Sequence, residues 1–236
     1  MNMTKYSISA FFPVYNDETT VELMAKKLTE VLNELTEDYE IIIVDDCSPD
    51  KSGEIADSLA EKDKHIRVIH HKENLGYRGA LKSGFSASDK DLIFYTDGDA
   101  QYDVSELKNL IPYIADYDVV TGTKIKRADR FHRILLSKLY YYFIRIAFRL
   151  KVKDISGDFR LFKRKVIDSV HFKSNSGTIC LEMMKRIESA EFKIKEVPVH
   201  HYPRISGESQ YFNSRDILKT FYELIPLWFD LVLIRK

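Results

Sequence analysis

The chain has 236 residues, of which 44% are hydrophobic and 31% are charged, an ordinary composition for a soluble globular protein. This length predicts one large domain, or one domain with an appendage. Cys47 and Cys180 have no metal-ligand spacing and do not suggest a disulfide framework. The chain shows no signal-peptide pattern and no apolar run of about 18 residues, so the sequence predicts a cytoplasmic protein.

The net charge of zero conceals an uneven distribution along the chain. Residues 1–123 contain 12 Lys and Arg against 24 Asp and Glu, whereas residues 124–236 contain 24 against 12. A basic second half indicates an anionic partner. Nucleic acid, a phosphorylated ligand and a membrane surface all satisfy this condition.

Strand-like and helix-like segments alternate along the chain. Short apolar runs predict buried strands, and apolar residues at a helical period predict the helices between them. This alternation is typical of a mostly parallel sheet with helices on both faces. The predicted strands are Ser7–Val14, Glu40–Val44, His65–His70, Leu92–Thr96, Asp118–Gly122 and Lys193–Val199, with Asp154–Phe162 returning the chain to the sheet. The predicted helices are Glu18–Leu35, a helix ending near Leu59, a short helix within Asn74–Ser86, Ser105–Ile114, Leu135–Leu150 and Thr178–Ile187.

Two carboxylates, Asp97 and Asp99, follow the predicted fourth strand with Gly98 between them. Residues i and i+2 of extended backbone point to the same face, so both carboxylates can bind one cation, and Gln101 adds a neutral oxygen. Such hard oxygen ligands suit Mg²⁺ or Mn²⁺ bound together with a diphosphate. The alternative interpretation is an Asp-Gly turn whose acids cap the helix that begins near Asp103.

Similar polar clusters follow two other predicted strands. Tyr15-Asn16-Asp17 follows the first strand, and Asp45-Asp46 follows the second. Ligands of open α/β sheets bind beyond the carboxyl ends of the strands. Three polar clusters at one edge of the sheet therefore favour a ligand site over three unrelated helix caps.

The segment Lys124–Lys153 contains ten Lys and Arg and a single acid, Asp129. Within it, Leu135–Leu150 mixes apolar, tyrosine and basic residues, a composition that suits a helix at a membrane interface. A core helix with a solvated basic face is the alternative. Ile217–Ile234, interrupted by Pro226 and Asp230, is a second candidate for an interfacial helix.

Six short motifs occur in one order along the chain and support a family assignment. They are Pro13-Val-Tyr-Asn-Asp, Val44-Asp-Asp-Cys-Ser, Asn74-Leu-Gly, Asp97-Gly-Asp-Ala-Gln-Tyr-Asp, Asp154 followed by Phe159-Arg-Leu-Phe, and Arg204 followed by Gly207-Glu-Ser. The series resembles that of family-two glycosyltransferases. The nearest branch is similar to dolichyl-phosphate mannose synthase and the bacterial polyprenyl-phosphate glycosyltransferases.

The resemblance covers nearly the whole chain and implies a fold, a reaction and partners. The fold is the GT-A fold, a Rossmann-like, mostly parallel sheet with helices on both faces, here followed by C-terminal amphipathic helices at the membrane interface. The reaction is inverting transfer of a sugar from a nucleoside-diphosphate sugar to a polyprenyl (dolichyl or undecaprenyl) phosphate, with Mg²⁺ or Mn²⁺ as cofactor. The partners are an anionic membrane surface and the two substrates, with no nucleic acid. The expected location is the cytoplasmic face of the membrane.

The resemblance also implies roles for individual residues. Catalysis is expected of Asp97, Asp99, Arg133 and Glu182, the last of which matches an acidic residue near the sugar. The expected metal ligands are Asp97, Asp99 and Gln101, and the expected acceptor-phosphate contacts are Lys124, Arg133 and Ser137. The expected nucleotide-sugar contacts are Pro13, Tyr15, Asp17, Val44, Asp46, Asp97, Gly98, Lys124 and Arg204.

Some positions depart from the family pattern. Asp17 replaces the commoner glutamate, Gln210 replaces a lysine of many relatives, and Asp158 is acidic where the family prefers a small residue. We predict a catalytic domain at residues 1–210, with a nucleotide-binding half at 1–123 and a basic acceptor-binding half at 124–210. An amphipathic helical segment is predicted at 211–236.

Two other functions remain open at this point. A transferase that acts on a sugar or protein hydroxyl would need a carboxylate as general base. A phospho-receiver-like signalling domain would use Asp45-Asp46 as an acidic pair that binds magnesium. The length, the basic second half and the Arg204 to Ser209 motif argue against a receiver.

Overall fold

The computed structural model describes residues 3–125, 131–155, 157–170, 178–205 and 222–233. Within these ranges, the side chains of residues 131–138 and of residue 140 are not described.

Seven strands form one sheet, in the spatial order β3-β2-β1-β4-β6-β5-β7. Parallel pairing joins β1 to β2, β2 to β3, β1 to β4 and β5 to β7. Only β6 runs antiparallel to its neighbours, β4 and β5. The mostly parallel sheet predicted from the sequence is therefore confirmed. The strands are β1 (Ile8–Val14), β2 (Tyr39–Asp45), β3 (Ile66–His70), β4 (Leu92–Thr96), β5 (Val119–Ile125), β6 (Phe159–Lys163) and β7 (Ile194–His200).

Helices connect these strands and cover both faces of the sheet. The segment 222–233 is helical as well, α-helical over residues 222–228 and a π-helix over Phe229–Leu233. The helices between strands are α1 (Val21–Leu35), α2 (Ser52–Lys62), α3 (Gly76–Ala87), α4 (Leu107–Leu110), α5 (Phe131–Phe148), α6 (Arg164–Ser169) and α7 (Ile179–Ser189).

Alternate residues of the central strands enter two separate hydrophobic clusters, because successive side chains of a strand point to opposite faces. On β1, Ala10 and Phe12 pack with α1 in one cluster, whereas Phe11 packs with α3 in the other. The central strand β4 is buried along its whole length. Its continuous apolar sequence, which lacks an alternating polar face, follows from this double coverage.

The predicted helix Ser105–Ile114 is wrong as a single element. The structure has a 3₁₀ turn at Val104–Glu106, the single helical turn α4, and a second 3₁₀ turn at Ile111–Tyr113. Pro112 lies in the last of these turns and has no backbone N–H to donate, so it cannot continue an α-helical hydrogen-bond ladder.

The structure describes only part of the regions predicted to contact a membrane. Within the described residues, no helix combines the length and the apolar character needed to cross a bilayer. The proposed boundary between residues 210 and 211 lies outside the described residues, as does Gln210.

Candidate active site

The turns after β1 and β4 pack directly against each other at the carboxyl edge of the sheet. The hydroxyl of Thr20 donates a hydrogen bond to the carbonyl oxygen of Gly98 at 2.8 Å. A Cβ atom on Gly98 would lie 2.4 Å from the carbonyl oxygen of Pro13, far inside van der Waals contact. Glycine at position 98 therefore allows the acidic turn to approach the end of β1.

Asp99 lies in this turn and is almost completely buried. Its Oδ1 accepts the backbone N–H of Gln101 at 3.0 Å, and its Oδ2 accepts a guanidinium N–H of Arg204 at 2.7 Å. Ala100, which lies between Asp99 and Gln101, adopts a left-handed conformation with φ of 57° and so tightens the turn. The contact joins the turn after β4 to the segment that follows β7, 105 residues away in sequence.

Asp97 lies on the same turn, and its carboxylate is close to other negative charges. The phenol of Tyr77 donates a hydrogen bond to Asp97 Oδ1 at 2.9 Å. Burial raises the pKa of Asp97 well above its usual range, and the charges of Asp158 and Asp99 raise it further. Burial also raises the pKa of Asp99, although the positive charges of Arg204 and Lys124 oppose this shift. A bound cation would relieve this accumulation of negative charge.

Asp158 belongs to a buried polar network behind these two carboxylates. Its Oδ1 accepts hydrogen bonds from the hydroxyl of Tyr95 at 3.0 Å and from the thiol of Cys180 at 3.1 Å. Arg160 is completely buried and donates to Tyr95 at 2.8 Å and to the carbonyl of Ile155 at 2.6 Å. The network places a permanent positive charge beneath the acidic site.

Asp17 lies at the end of β1, close enough to the acidic turn to respond to its charges. Its Oδ2 accepts the backbone N–H of Tyr15 at 3.2 Å. Burial raises the pKa of Asp17 from 3.8 to about 6, with a further contribution from Asp99 and an opposing one from Arg204. The structure thus brings Asp17, Asp99 and Arg204 into one electrostatic site.

Asp46 lies at the end of β2, where the resemblance places a nucleotide contact. Its Oδ1 accepts a hydrogen bond from His71 Nδ1 at 2.6 Å and another from the backbone N–H of Leu75 at 2.8 Å. No other hydrogen bond to this carboxylate comes from the described part of the chain. Asp46 is 3% exposed, and its Oδ2 keeps the capacity to accept a further hydrogen bond.

Lys124 and Gln101 also lie beside the acidic turn. The ammonium group of Lys124 is 5.6 Å from the ring centroid of Tyr102, and its charge lowers the pKa of both Asp97 and Asp99. The side-chain amide of Gln101 donates to the carbonyl of Tyr202 at 3.0 Å. Lys124 is therefore positioned to meet a phosphate that binds at this site.

Two predicted site residues are buried away from any ligand. Val44 has no accessible surface and packs in the hydrophobic cluster under α3, so its side chain cannot contact a nucleotide in this structure. Glu182 on α7 is also fully buried, and its Oε1 accepts a hydrogen bond from Arg186 Nε at 2.7 Å. A side chain without accessible surface cannot contact a sugar unless its neighbours move. The catalytic role of Glu182 remains a prediction.

Two predicted acceptor-phosphate residues, Arg133 and Ser137, belong to α5, but their side chains lie outside the described part of the structure. Their roles remain predictions.

The residues around Asp97 and Asp99 fit a divalent cation bound with a diphosphate. Carboxylate oxygens are ligands that Mg²⁺ and Mn²⁺ prefer, and Mg²⁺ usually takes only one or two of them, with phosphate oxygens and water completing the shell. Among the residues that the structure describes, no cluster of three or more His, Cys, Asp or Glu could bind a metal by itself. The fit thus depends on the ligand's own phosphates.

Sequence reasoning missed three polar residues that support the site: Tyr77, His71 and Arg160. Tyr77 lies in α3, three residues after Asn74, and His71 precedes the same motif by three. Arg160 is the arginine of the quoted Phe-Arg-Leu-Phe motif, to which no role was given. Proximity to a motif was the available signal, but nothing in the sequence showed which side chains point inward.

The family model described as "Glycosyl transferase family 2" matches residues 9–170. Glycosyltransferase AglD of Haloferax volcanii is 30% identical over 234 residues, which cover 95% of this chain and 37% of that protein. Undecaprenyl-phosphate 4-deoxy-4-formamido-L-arabinose transferase of Enterobacter sp. is 31% identical over 232 residues, 96% of this chain and 67% of the relative. The chain spans about two thirds or less of the length of these curated relatives.

Solved structures with the same fold are more distant in sequence. A mannosyltransferase of Pyrobaculum calidifontis, in complex with GDP-Man and Mn²⁺, aligns with a TM-score of 0.69 at 16% identity and covers 94% of this chain and 65% of that one. Glucosyl-3-phosphoglycerate synthase of Mycobacterium tuberculosis, in complex with Mn²⁺ and UDP-Glc, aligns with a TM-score of 0.71 at 14% identity and covers 98% and 81%. The GT-A fold expected from the sequence is confirmed, and the chain belongs to glycosyl transferase family 2.

Proposed function

We propose that this protein is an inverting glycosyltransferase that moves a sugar from a nucleoside-diphosphate sugar to a polyprenyl phosphate at the cytoplasmic membrane face. The observation that carries the proposal is the pair Asp97, which is partly buried, and Asp99, which is buried, on one turn at the carboxyl edge of the sheet, where the charges of Lys124 and Arg204 act on them. The name of the Enterobacter relative, an undecaprenyl-phosphate 4-deoxy-4-formamido-L-arabinose transferase, supports the choice of acceptor.

In this proposal, the residues of the acidic edge position the donor. Asp97 and Asp99 would hold a divalent cation, which would supply positive charge against the diphosphate of the donor. Arg204 and Lys124 offer further positive charge to the phosphates. Because Arg204 contacts Asp99 Oδ2 at 2.7 Å in the structure, this contact has to be shared or exchanged when cation and diphosphate bind.

A phosphate acceptor, unlike a hydroxyl acceptor, does not need a general base from the protein. A phosphate monoester has its second pKa near ~6, so it is mostly a dianion at pH 7 and is already a nucleophile. One of its oxygens attacks the anomeric carbon while the bond from that carbon to the diphosphate breaks, and no proton has to be removed. The requirement is cationic positioning, which Lys124 and Arg133 would supply.

The helix α5 presents an apolar stripe that suits a membrane interface. Leu139, Tyr142, Phe143 and Ile146 recur at spacings of three and four residues and are 54–77% exposed. Such spacing places them on one face of the helix. On the opposite side, Ile144 is buried in the core. The described part of the helix thus has a buried side and an exposed apolar side.

The segment 222–233 carries a second stripe of the same kind, consisting of Tyr222, Ile225, Phe229 and Leu233, all about half exposed or more. Between this segment and the end of α5 lies an open apolar groove of about 830 Å³. We define the apolar face as the two stripes together. Large exposed apolar patches mark interaction sites, and an acceptor that resides in a bilayer makes a lipid surface the fitting partner.

A transfer assay with defined substrates tests the proposal. The purified protein would be incubated with GDP- or UDP-sugars, Mn²⁺ and either a short-chain polyprenyl phosphate or the corresponding prenol. We expect a glycosylated polyprenyl phosphate and no product with the prenol. Arg133→Ala should abolish transfer while nucleotide binding persists, and Glu182→Gln should keep most activity.

Transfer to the prenol, or loss of activity in Glu182→Gln together with normal activity in Arg133→Ala, would instead support a hydroxyl acceptor. In that mechanism an essential general base typically contributes about 10²–10⁴-fold.

A further inference from the structure

Asp46, His71 and Ser83 form a linear hydrogen-bonded chain on the side of the sheet that α3 covers. His71 Nδ1 lies 2.6 Å from Asp46 Oδ1, and His71 Nε2 lies 2.8 Å from Ser83 Oγ. The side chains of Asp46 and His71 are 5% and 7% exposed. The three residues come from three different segments, the ends of β2 and β3 and the middle of α3, so the chain forms only in the folded protein.

The carboxylate partner fixes one hydrogen position. A carboxylate can only accept, so His71 Nδ1 donates to Asp46 Oδ1, and His71 Nε2 shares a hydrogen bond with the hydroxyl of Ser83. Asp46 Oδ1 receives a second hydrogen bond from the backbone N–H of Leu75. Two donors on one oxygen restrain the plane of the carboxylate, and Asp46 Oδ2 receives no hydrogen bond from the described residues.

A carboxylate such as that of Asp46 can distinguish between nucleobases. A carboxylate oxygen accepts N–H groups and repels ring nitrogens that carry a lone pair. Uracil and guanine present a ring N–H on their pairing edges, whereas cytosine and adenine present an unprotonated ring nitrogen there. We propose that His71, supported by Ser83, is a positioning residue that orients Asp46 to select donors whose base carries a ring N–H. The inference rests on the proposed function and on the resemblance, which places Asp46 among the contacts of the nucleotide.

A neighbouring pair with similar chemistry offers a control. His70 Nδ1 lies 2.8 Å from Asp45 Oδ2, but His70 is on the opposite face of the sheet edge and its side chain is 43% exposed. Successive residues of a strand point to opposite faces, so His70 cannot reach Asp46. Substitution of His70 should leave nucleotide selection unchanged.

Two isosteric substitutions separate positioning from a merely structural role. The amide nitrogen of asparagine is bonded to Cγ, as Nδ1 of histidine is, so His71→Asn keeps the donor to Asp46. The amide nitrogen of glutamine lies one bond further out, near the place of Nε2, so His71→Gln loses that donor. His71→Leu removes both nitrogens, Ser83→Ala removes only the outer partner, and His70→Leu is the matched control.

The measurement is the dissociation constant of UDP, GDP, CDP and ADP in the presence of Mn²⁺, by calorimetry, for the wild-type chain and each variant. A hydrogen bond to a charged group contributes roughly 10- to 100-fold in affinity. We expect the wild type to favour UDP or GDP over CDP and ADP by at least about 10-fold. His71→Leu and His71→Gln should lose most of this ratio, His71→Asn should keep it within about 3-fold, and Ser83→Ala should have a smaller effect.

Kinetics provide a second readout. Because Asp46 contacts the base and not the reacting sugar, His71→Gln should raise the KM for the donor while kcat at saturation stays near the wild-type value.

The outcomes distinguish this inference from the proposed function. If the wild type binds none of the four nucleotides, the proposed function fails. If the wild type discriminates among bases but His71→Gln discriminates equally well, or if it favours CDP or ADP, the inference about His71 is wrong while the proposed function stands. Should His71→Leu fail to fold, the Asn and Gln variants, which both keep a polar side chain, still decide.

Discussion

Asp97 and Asp99 at the carboxyl edge of the sheet are held by named partners, Tyr77 on one carboxylate and Arg204 on the other. On the apolar face, by contrast, Leu139 and Ile146 expose 60% and 77% of their surface to solvent. The first region fixes a few charged atoms within a packed frame, as binding a small ionic ligand requires. The second offers exposed apolar area without paired charges, which fits the contact with a lipid layer that we propose for it.

The two regions also differ in their effect on the stability of the folded protein. Buried carboxylates that repel one another destabilise the fold until a cation binds, which is the expected state of a site shaped for a ligand. Exposed apolar side chains have little effect on the stability of an isolated molecule, but they favour association with an apolar phase. Substitutions in one region should therefore leave the function of the other unchanged, and this separation can be tested.

The largest effect is expected from Asp99→Asn, which keeps the shape of the side chain and removes one negative charge. Transfer should fall by at least about 10²–10³-fold, the usual cost of removing one electrostatic contact to the reacting groups. Metal-dependent nucleotide binding should fall as well, whereas vesicle binding should not change. The readouts are the initial transfer rate and cosedimentation with vesicles.

Asp103→Asn is the matched control for this experiment. Asp103 belongs to the same stretch, and its carboxylate accepts the backbone N–H of Ser105 at 3.1 Å, a cap that asparagine can replace. Activity near the wild-type level is expected. Wild-type turnover in Asp99→Asn would refute the assignment of the acidic edge.

The second effect concerns the apolar face and should appear with lipid only. Burying one large aliphatic side chain contributes about 1.5–3 kcal/mol. The double variant Leu139→Gln/Ile146→Gln should therefore bind anionic vesicles at least about 10-fold more weakly and bind nucleotide normally. Leu23→Gln on α1, also an exposed leucine, serves as the control. Undiminished vesicle binding by the double variant would show that the membrane contact does not lie on the apolar face.

A smaller effect is expected where the acidic turn touches β1. Gly98→Ala would place a methyl group 2.4 Å from the backbone oxygen of Pro13, and overpacking of this kind usually costs about 1–3 kcal/mol. Ala100→Gly relieves a left-handed backbone in the same turn and should leave the stability unchanged or raised. Urea unfolding of both variants measures the difference. Equal stability of Gly98→Ala and the wild type would show that the two turns are not tightly packed.

The smallest effect is a pH dependence at Asp17. Because its pKa is raised to about 6 by burial, the folded protein binds its proton more tightly than the unfolded chain does. Stability is therefore lost as pH rises from about 4 to about 6. The loss is at most roughly 3 kcal/mol, and partial exposure reduces it. Asp17→Asn should thus be more stable than the wild type at pH 7.5 and not at pH 4.

Asp50 should change the stability with pH in the opposite direction to Asp17. Burial acts to raise its pKa, but hydrogen bonds from Ser52 and from the backbone outweigh it, so the pKa is lowered. Its contribution to stability is present at neutral pH and is lost as pH falls, and Asp50→Asn should be destabilised at pH 7.5. Urea unfolding at the two pH values tests both variants. The same sign for both would contradict the electrostatic description of this edge.

The sequence allowed the site's location to be predicted because parallel strands bring their carboxyl ends to one edge. Asp17, Asp46, Asp97 and Asp99 follow three such strands, so their common edge follows from strand order alone. Arg204 could be placed there only by the family resemblance, since it lies 105 residues beyond Asp99 and is joined to it by tertiary contact.

Other features depended on packing that no sequence pattern reveals. Val44 and Asp46 are two residues apart and both are buried, yet Val44 packs in a hydrophobic cluster whereas Asp46, beyond the end of the strand, accepts hydrogen bonds from His71 and Leu75. Glu182 matched a functional position but forms a buried ion pair with Arg186. The composition of Leu135–Leu150 left an interfacial helix and a core helix with a solvated basic face open, and it did not show which side chains of α5 are buried and which are exposed.

The central claim is that the acidic edge binds the sugar donor while the separate apolar face brings the protein to a lipid acceptor. The most direct test of this claim compares two acceptors. The transfer rate of the Leu139→Gln/Ile146→Gln variant would be measured with a water-soluble short-chain prenyl phosphate and with a long-chain polyprenyl phosphate in anionic vesicles. We predict the wild-type rate with the soluble acceptor and a rate at least about 10-fold lower with the vesicles. An equal loss with both acceptors, or no loss with the vesicles, would contradict the claim.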